Sequence, residues 1–319
     1  MRKREILGEL DLTPGQLRLI GFHSFVNLIN VLVLELEALE RDLEKPDLFL
    51  AAREQFLQVL HAFRDETGEL PLMQQLNEMR LILQADLQKH APQATRIMRI
   101  LEVAHMRIEE MAARHGGDNR WVRMSFIRLR HSFELVFTVM SERAGRRYRI
   151  VFHDRPLQPA KVNTDAETMP AETMPAKTHD QTIPVYRIIL ELLSPDEETV
   201  HMPLVLQDVL RDLAANARKY SDSGGRILAR LEESDRELIL IVQDNGRGIP
   251  EKEIERVVHF GERGSNTAPS ETMGGGFGLT KAYSVVHTLG GRMWISSATE
   301  GPDQGTTIEI RIPLPAAPG

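Results

Sequence analysis

Asp244-Asn-Gly246-Arg-Gly248-Ile-Pro250 follows directly on the apolar run Glu237-Leu-Ile-Leu-Ile-Val-Gln243. Such a run reads as a buried strand, and two glycines at its exit let backbone approach a flat ligand closely. The Asp244 carboxylate at the mouth of the turn can accept a hydrogen bond from an exocyclic amine such as that of adenine. Alone, the stretch also fits a glycine turn with an aspartate cap. Its neighbours decide the reading.

Upstream stands Asp208-Val-Leu-Arg-Asp212-Leu-Ala-Ala-Asn216-Ala-Arg-Lys219-Tyr220. Helical spacing puts Asp212 and Asn216 one turn apart on one face, with Lys219 and Tyr220 close by. Carboxylate and amide oxygens suit Mg2+, and a lysine supplies a point charge for phosphate. Taken singly, this helix fits a solvated polar face equally well. Downstream, Gly274-Gly-Gly276-Phe-Gly278-Leu279-Thr280 opens a helix. A glycine run there leaves backbone N–H groups and the positive end of the helix dipole facing an anion. It is not the lysine-bearing phosphate loop, since no GKS or GKT occurs. A dinucleotide-binding fold is also disfavoured, because no strand leads directly into the glycines.

Outward from these motifs the chain divides in two. Between residues 22 and 43 apolar residues recur at Phe22, Phe25, Ile29, Leu32, Leu36, Leu39 and Leu43, a heptad seam. Thr13-Pro14 is a helix start and Lys45-Pro46 a stop. Three further amphipathic helices are expected, from Phe49 to near Gly68, from Pro71 to His90 and from Ala94 to His115. The short breaks between them predict antiparallel neighbours, and the narrow seam predicts a bundle completed by a second copy of the chain. From about Arg120 a helix near 124–142 and strands near 148–152, 185–192, 227–231, 238–242, 292–296 and 306–312 predict an α/β sandwich with helices on one face. The expected fold class is therefore α+β, with a helical region at 1–118 and a sandwich at 119–319. Residues 156–184 carry five of the 17 prolines, no aromatic residue and a repeated AETMP, and are expected to be a disordered insertion.

The 39 Lys and Arg against 46 Asp and Glu give a net charge of −7, which argues against a general nucleic-acid binder. With no cysteine, disulfide scaffolds, thiolate metal sites and thiol nucleophiles are excluded. The stretch FVNLINVLVLELEAL is interrupted by Asn27, Asn30, Glu35 and Glu37, so no membrane span is expected and the default location is cytoplasmic.

In order and spacing, the Asn-bearing helix, DNGRGIP after a strand and GGGFGL before a helix resemble the ATP-binding domain shared by histidine kinases, type II topoisomerases and related chaperones. HFGERGSN at 259–266 is similar to the Phe-containing box at the start of that family's lid. The tail from Gly290-Gly291 to Pro313 resembles the histidine-kinase branch. The resemblance covers roughly 120–315. It implies that ATP binds with Mg2+, that Asn216 ligates the metal and that Lys219 contacts phosphate. It further implies that Tyr220 packs against the base and Asp244 binds the adenine amine, with Gly246 and Gly248 shaping that pocket. Gly274, Gly276 and Gly278 would hinge a lid, with Leu279 and Thr306 lining the nucleotide site. Asp212 falls where hydrolysing relatives place a water-activating Glu and where kinase relatives assist phosphate chemistry.

Histidine kinases of this family carry a phosphoacceptor on the first helix of a dimeric bundle. Gly21-Phe-His23-Ser24-Phe-Val-Asn27 offers His23, beside the seam, with Asn27 one turn on. A neutral imidazole there is nucleophilic. The sequence departs from the pattern at Ser24, where most relatives have an acidic residue that acts as base. His131, in a similar string, is the second candidate for acceptor, and His105 is read as packing at the bundle edge. The implied activity is autophosphorylation on His23 and transfer to a response-regulator receiver on a separate chain. Two other readings stand beside it: a nucleotide-binding phosphatase or phosphotransfer scaffold, and an ATP-driven clamp.

Overall fold

The computed structural model describes residues 1–64, 69–90, 93–113, 120–141, 149–153, 185–222, 224–267 and 275–315. The expected insertion at 156–184 lies outside the described residues.

Four helices form the first half: α1 (Pro14–Asp42), α2 (Leu50–Arg64), α3 (Glu69–Gln88) and α4 (Thr95–Ala113). Thr13 caps α1 reciprocally. Its Oγ1 accepts from the Gln16 N–H at 3.3 Å, and Gln16 Oε1 accepts from the Thr13 N–H at 2.9 Å. Each helix packs on the next, and α4 returns to α1. The heptad residues Phe25, Ile29, Leu32, Leu36 and Leu39 are buried in this core with Phe56, Leu76, Leu83, Ile97 and Leu101. Replacing Leu36, which is 0% exposed, with Ala is expected to cost the bundle about 2–5 kcal/mol. Urea unfolding followed by circular dichroism would check this; an unchanged midpoint would place the core elsewhere.

By length and composition α1 is apolar enough to cross a membrane. In the fold three of its acidic residues, Glu35, Glu37 and Glu40, are matched by arginines of neighbouring helices. Glu35 pairs with Arg96 at 3.0 Å and Glu37 with Arg53 at 2.7 Å. The buried Glu40 accepts from the Phe49 N–H at 2.6 Å and pairs with Arg53 at 3.1 Å.

The second half is a seven-stranded sheet in the order β1-β8-β9-β7-β6-β4-β3. The strands are β1 (Lys3–Glu5), β3 (Arg149–His153), β4 (Val185–Leu193), β6 (Arg226–Glu233), β7 (Glu237–Asp244), β8 (Arg292–Ala298) and β9 (Gly305–Pro313). β2 (Trp121–Ser125) and β5 (Thr199–Pro203) form a separate antiparallel pair. The pairs β3–β4 and β4–β6 are parallel and the other pairs of the large sheet antiparallel. Alternation of burial along β6 and through most of β7 and β9 leaves one apolar face. Against it lie α5 (Phe126–Ser141), α6 (Leu206–Tyr220) and α7 (Gly278–Thr288), through Phe133, Phe137, Leu213, Ala217, Ala282 and Val286.

Three strands have no counterpart in the sequence expectations. β2 and β5 are short and flank helices. β1 is the charged triplet Lys-Arg-Glu, which shows no alternation of its own; it is ordered by the edge of β8, with Lys3↔Ser296 and Glu5↔Trp294 in register. Lys3 Nζ reaches Glu309 at 2.7 Å, and the Tyr283 hydroxyl donates to the Ile6 and Gly8 carbonyls at 3.2 and 2.7 Å. Residues 3–5 therefore lie across the boundary expected at 118/119: the chain begins on the sheet, crosses to the bundle and returns.

Candidate nucleotide and phosphoacceptor site

The C-terminal ends of α6 and β7, the start of α7 and one face of α1 enclose a cavity of about 840 Å³. Register brings the first wall together. β7 pairs with β9 so that Asp244 lies opposite Thr306, and the turn after β7 folds back on the end of α6, where the Arg247 N–H donates to the Tyr220 carbonyl at 3.0 Å. Asp212, Asn216, Lys219, Tyr220, Asp244, Gly248, Gly276, Gly278, Leu279 and Thr306 all line this space, together with His23 and Asn27. Gly246 instead stands behind Asp244, its N–H donating to Oδ1 at 2.8 Å. Gly274 lies outside the described residues.

Two glycines are demanded by geometry. Gly248 has φ +68°, and a Cβ there would run into the Ala298 carbonyl. A Cβ on Gly278 would come 2.5 Å from Asn216 Nδ2, so a side chain there would push the Asn216 amide away from the start of α7. That contact brings the free N–H groups of the first turn of α7 beside Asn216 at the edge of the cavity, an arrangement suited to an anion.

Burial pushes the Asp244 carboxyl up to about 6, against the N–H groups of Gly246 and Thr306, which favour the charged form. The ionised carboxylate is the stronger acceptor for an exocyclic amine, and an amine bound there lowers its pKa. Affinity for an adenine nucleotide is therefore expected to rise from about pH 5 to about pH 7 and then level, with protons released on binding near pH 6. Titration calorimetry in buffers of different ionisation enthalpy measures this, and Asp244→Asn should leave only the nucleotide's own titration.

His23 sits between the two halves of the molecule. Its ring meets Phe277 edge-on at 4.8 Å, and Phe277 stacks on Phe260 at 4.7 Å. Nε2 lies 3.1 Å from Asn27 Nδ2. When that amide donates, the ring proton is on Nδ1 and Nε2 keeps its lone pair. Burial lowers the His23 pKa; Asp212 opposes this, and Lys281 and Lys219 add to it. The net shift favours the neutral imidazole. The second candidate, His131, lies apart, as does His105. His131 on α5 is 65% exposed at 3.6 Å from Glu102, and His105 on α4 lies 3.5 Å from Glu109; neither lines the cavity.

Sequence reasoning missed the charges beneath this site. Lys281, 4% exposed, places Nζ 2.9 Å from Asp212 Oδ2 and 3.4 Å from Asp208 Oδ2. Burial raises the Asp212 pKa, but Lys281, then Arg107 and Arg211, outweigh it and hold the carboxyl below its ordinary value. The available signal was a lysine in α7, a helix that has no other Lys, Arg, Asp or Glu. Among the described residues no group of three or more His, Asp or Glu side chains could hold a metal by itself. The Asn216 amide oxygen is a hard donor of the kind a divalent cation takes, and could share one with phosphate oxygens and water.

Comparison with known proteins agrees with this geometry. Residues 202–316 match the family model of histidine kinase-, DNA gyrase B- and HSP90-like ATPases. The chain is 34% identical over 110 residues to the sensor histidine kinase WalK of Bacillus subtilis, covering 34% of this chain and 18% of that protein. It is 38% identical over 109 residues to the sensor histidine kinase Hik2 of Thermosynechococcus vestitus, covering 34% of this chain and 28% of that protein. Among solved structures, the mycobacterial sensor histidine kinase MprB is 27% identical, covers 40% of this chain and 83% of its own, and superposes with a TM-score of 0.34. The chain thus spans less than a third of the length of the curated relatives named here. Residues 202–316 are thus similar to the histidine kinase-, DNA gyrase B- and HSP90-like ATPases, and the curated relatives named here are sensor histidine kinases.

Proposed function

We propose that this protein is a histidine kinase in which ATP, bound against α6 and β7, phosphorylates His23. The observation that carries the reading is the meeting of three groups in one cavity: the Asp244 carboxylate, the Asn216 amide and the His23 imidazole, which comes from a different half of the chain. Asp244 takes the adenine amine, Tyr220 packs on the base, and Lys219 with the first turn of α7 faces the phosphates. A magnesium ion would be held by Asn216 and the triphosphate, and would neutralise phosphate charge. Once released from the Asn27 amide, the Nε2 lone pair of His23 attacks the γ-phosphorus, and the bond to the bridging oxygen breaks to release ADP. The Nδ1 proton then leaves to solvent, since Ser24 offers no base at neutral pH. Positioning and charge neutralisation supply most of the catalysis in such a transfer.

From phosphohistidine the group would pass to an aspartate of a receiver domain on another chain. Leu17 and Leu34 of α1 and Leu81 and Ile82 of α3 are exposed at 47%, 53%, 53% and 66%, which supports a homodimer through the bundle. The matched acidic residues of α1 support a bundle helix, and hence a cytoplasmic place for it. A nucleotide-binding phosphatase is the second reading, favoured by Ser24 and by the Asn27 amide held against His23 Nε2. Acid-labile, alkali-stable label from γ-labelled ATP tests the kinase; nucleotide binding without label would favour the second reading.

A further inference from the structure

Beneath the cavity, six ionised side chains meet across the seam between the bundle and the sheet domain. The bundle contributes Arg107 and Glu110 of α4. The sheet domain contributes Asp208, Arg211 and Asp212 of α6 and Lys281 of α7. Arg211 grips Glu110 through both guanidinium nitrogens and donates to Asp208 at 2.6 Å. Lys281 closes the group on Asp208 and Asp212. Arg107 donates from Nη1 to Asp208, and from Nη2 to Ser24 Oγ at 2.6 Å. All but Asp212 are less than 8% exposed, and three positive charges balance three negative ones.

Burying so many charges is a poor way to gain stability, since apolar packing of equal volume does as well or better; its best-attested use is to fix one arrangement of parts. Here the arrangement fixed is that of α1 on α6. Arg107 bridges Ser24, the neighbour of His23, to Asp208, which lies one turn before Asp212 on the helix carrying Asn216. Its guanidinium is a rigid fork, able to hold two acceptors at a set angle where a lysine could not.

We propose that Arg107 is a positioning residue for the phosphoryl transfer, holding His23 in register with the nucleotide helix through Ser24 and Asp208. This rests on the kinase reading above. It also accounts for the hydroxyl at position 24: a carboxylate there would compete with Asp208 for the same guanidinium.

The test compares Ser24→Ala, Ser24→Thr and Arg107→Lys in the full chain, with the rate of His23 labelling measured across ATP concentrations. Ser24→Ala removes one bond to Arg107 and leaves the six charges in place. It is expected to lower the maximal labelling rate about tenfold with KM for ATP within about twofold, as misplacement of a reacting group does. Ser24→Thr keeps the hydroxyl and is expected to restore the rate. Arg107→Lys is expected to slow labelling at least as much as Ser24→Ala, with nucleotide affinity kept. Wild-type rate in Ser24→Ala, a loss carried by KM, or failure of threonine to rescue would overturn the positioning role. A wild-type protein that binds ATP but never labels His23 would overturn the kinase reading, and this role with it.

Discussion

His23→Ala is expected to reduce label from γ-labelled ATP to background while ATP still binds with a Kd within about tenfold of wild type. The first half follows from chemistry: His23 is the imidazole that lines the cavity with Asp244 and Asn216, and without its lone pair there is no acceptor. The second follows from geometry. His23 meets the nucleotide half chiefly through the edge of Phe277, so its loss removes one ring contact worth about 0.5–1.5 kcal/mol. Intact-mass and radiolabel assays read the first result and calorimetry the second. Label persisting in the variant would move the acceptor elsewhere, and His131→Ala, which should label as wild type, is the natural control.

A comparable loss, at a different step, is expected from Asp244→Ala. The side chain is half-buried at the end of β7, held by the Gly246 N–H at 2.8 Å. A charged hydrogen bond to the adenine amine is worth about 1.5–3 kcal/mol, so Kd for ATP should rise roughly 10- to 150-fold. The effect should depend on the base. Inosine triphosphate lacks the exocyclic amine, so the wild type should prefer ATP over it, and the variant should lose that preference. A variant that binds both weakly but keeps the preference would show a distorted pocket and remove Asp244 from base recognition.

What could be read in the sequence was local in the chain. The apolar run into Asp244, the helix face carrying Asp212 and Asn216, and the glycines before α7 each lie within a short stretch, because a nucleotide pocket is built of turns and helix ends. The heptad of α1 was legible for the same reason, a period repeated along one helix. What escaped joins distant segments. The pairs Arg107–Asp208 and Arg211–Glu110 each span 101 residues, and nothing in either local pattern announces the other. Phe277 read as one aromatic in a glycine run, yet its ring is what His23 packs on. β1 escaped because three charged residues have no strand signature until an open edge supplies the partner.

The most direct measurement is a calorimetric titration of ATP with magnesium into the full chain, repeated with Asn216→Ala and Asp244→Ala. One saturable site per chain, weakened in both variants, is the result expected if α6, β7 and the start of α7 hold the nucleotide. Absence of binding heat at several temperatures, or equal binding in all three proteins, would contradict it.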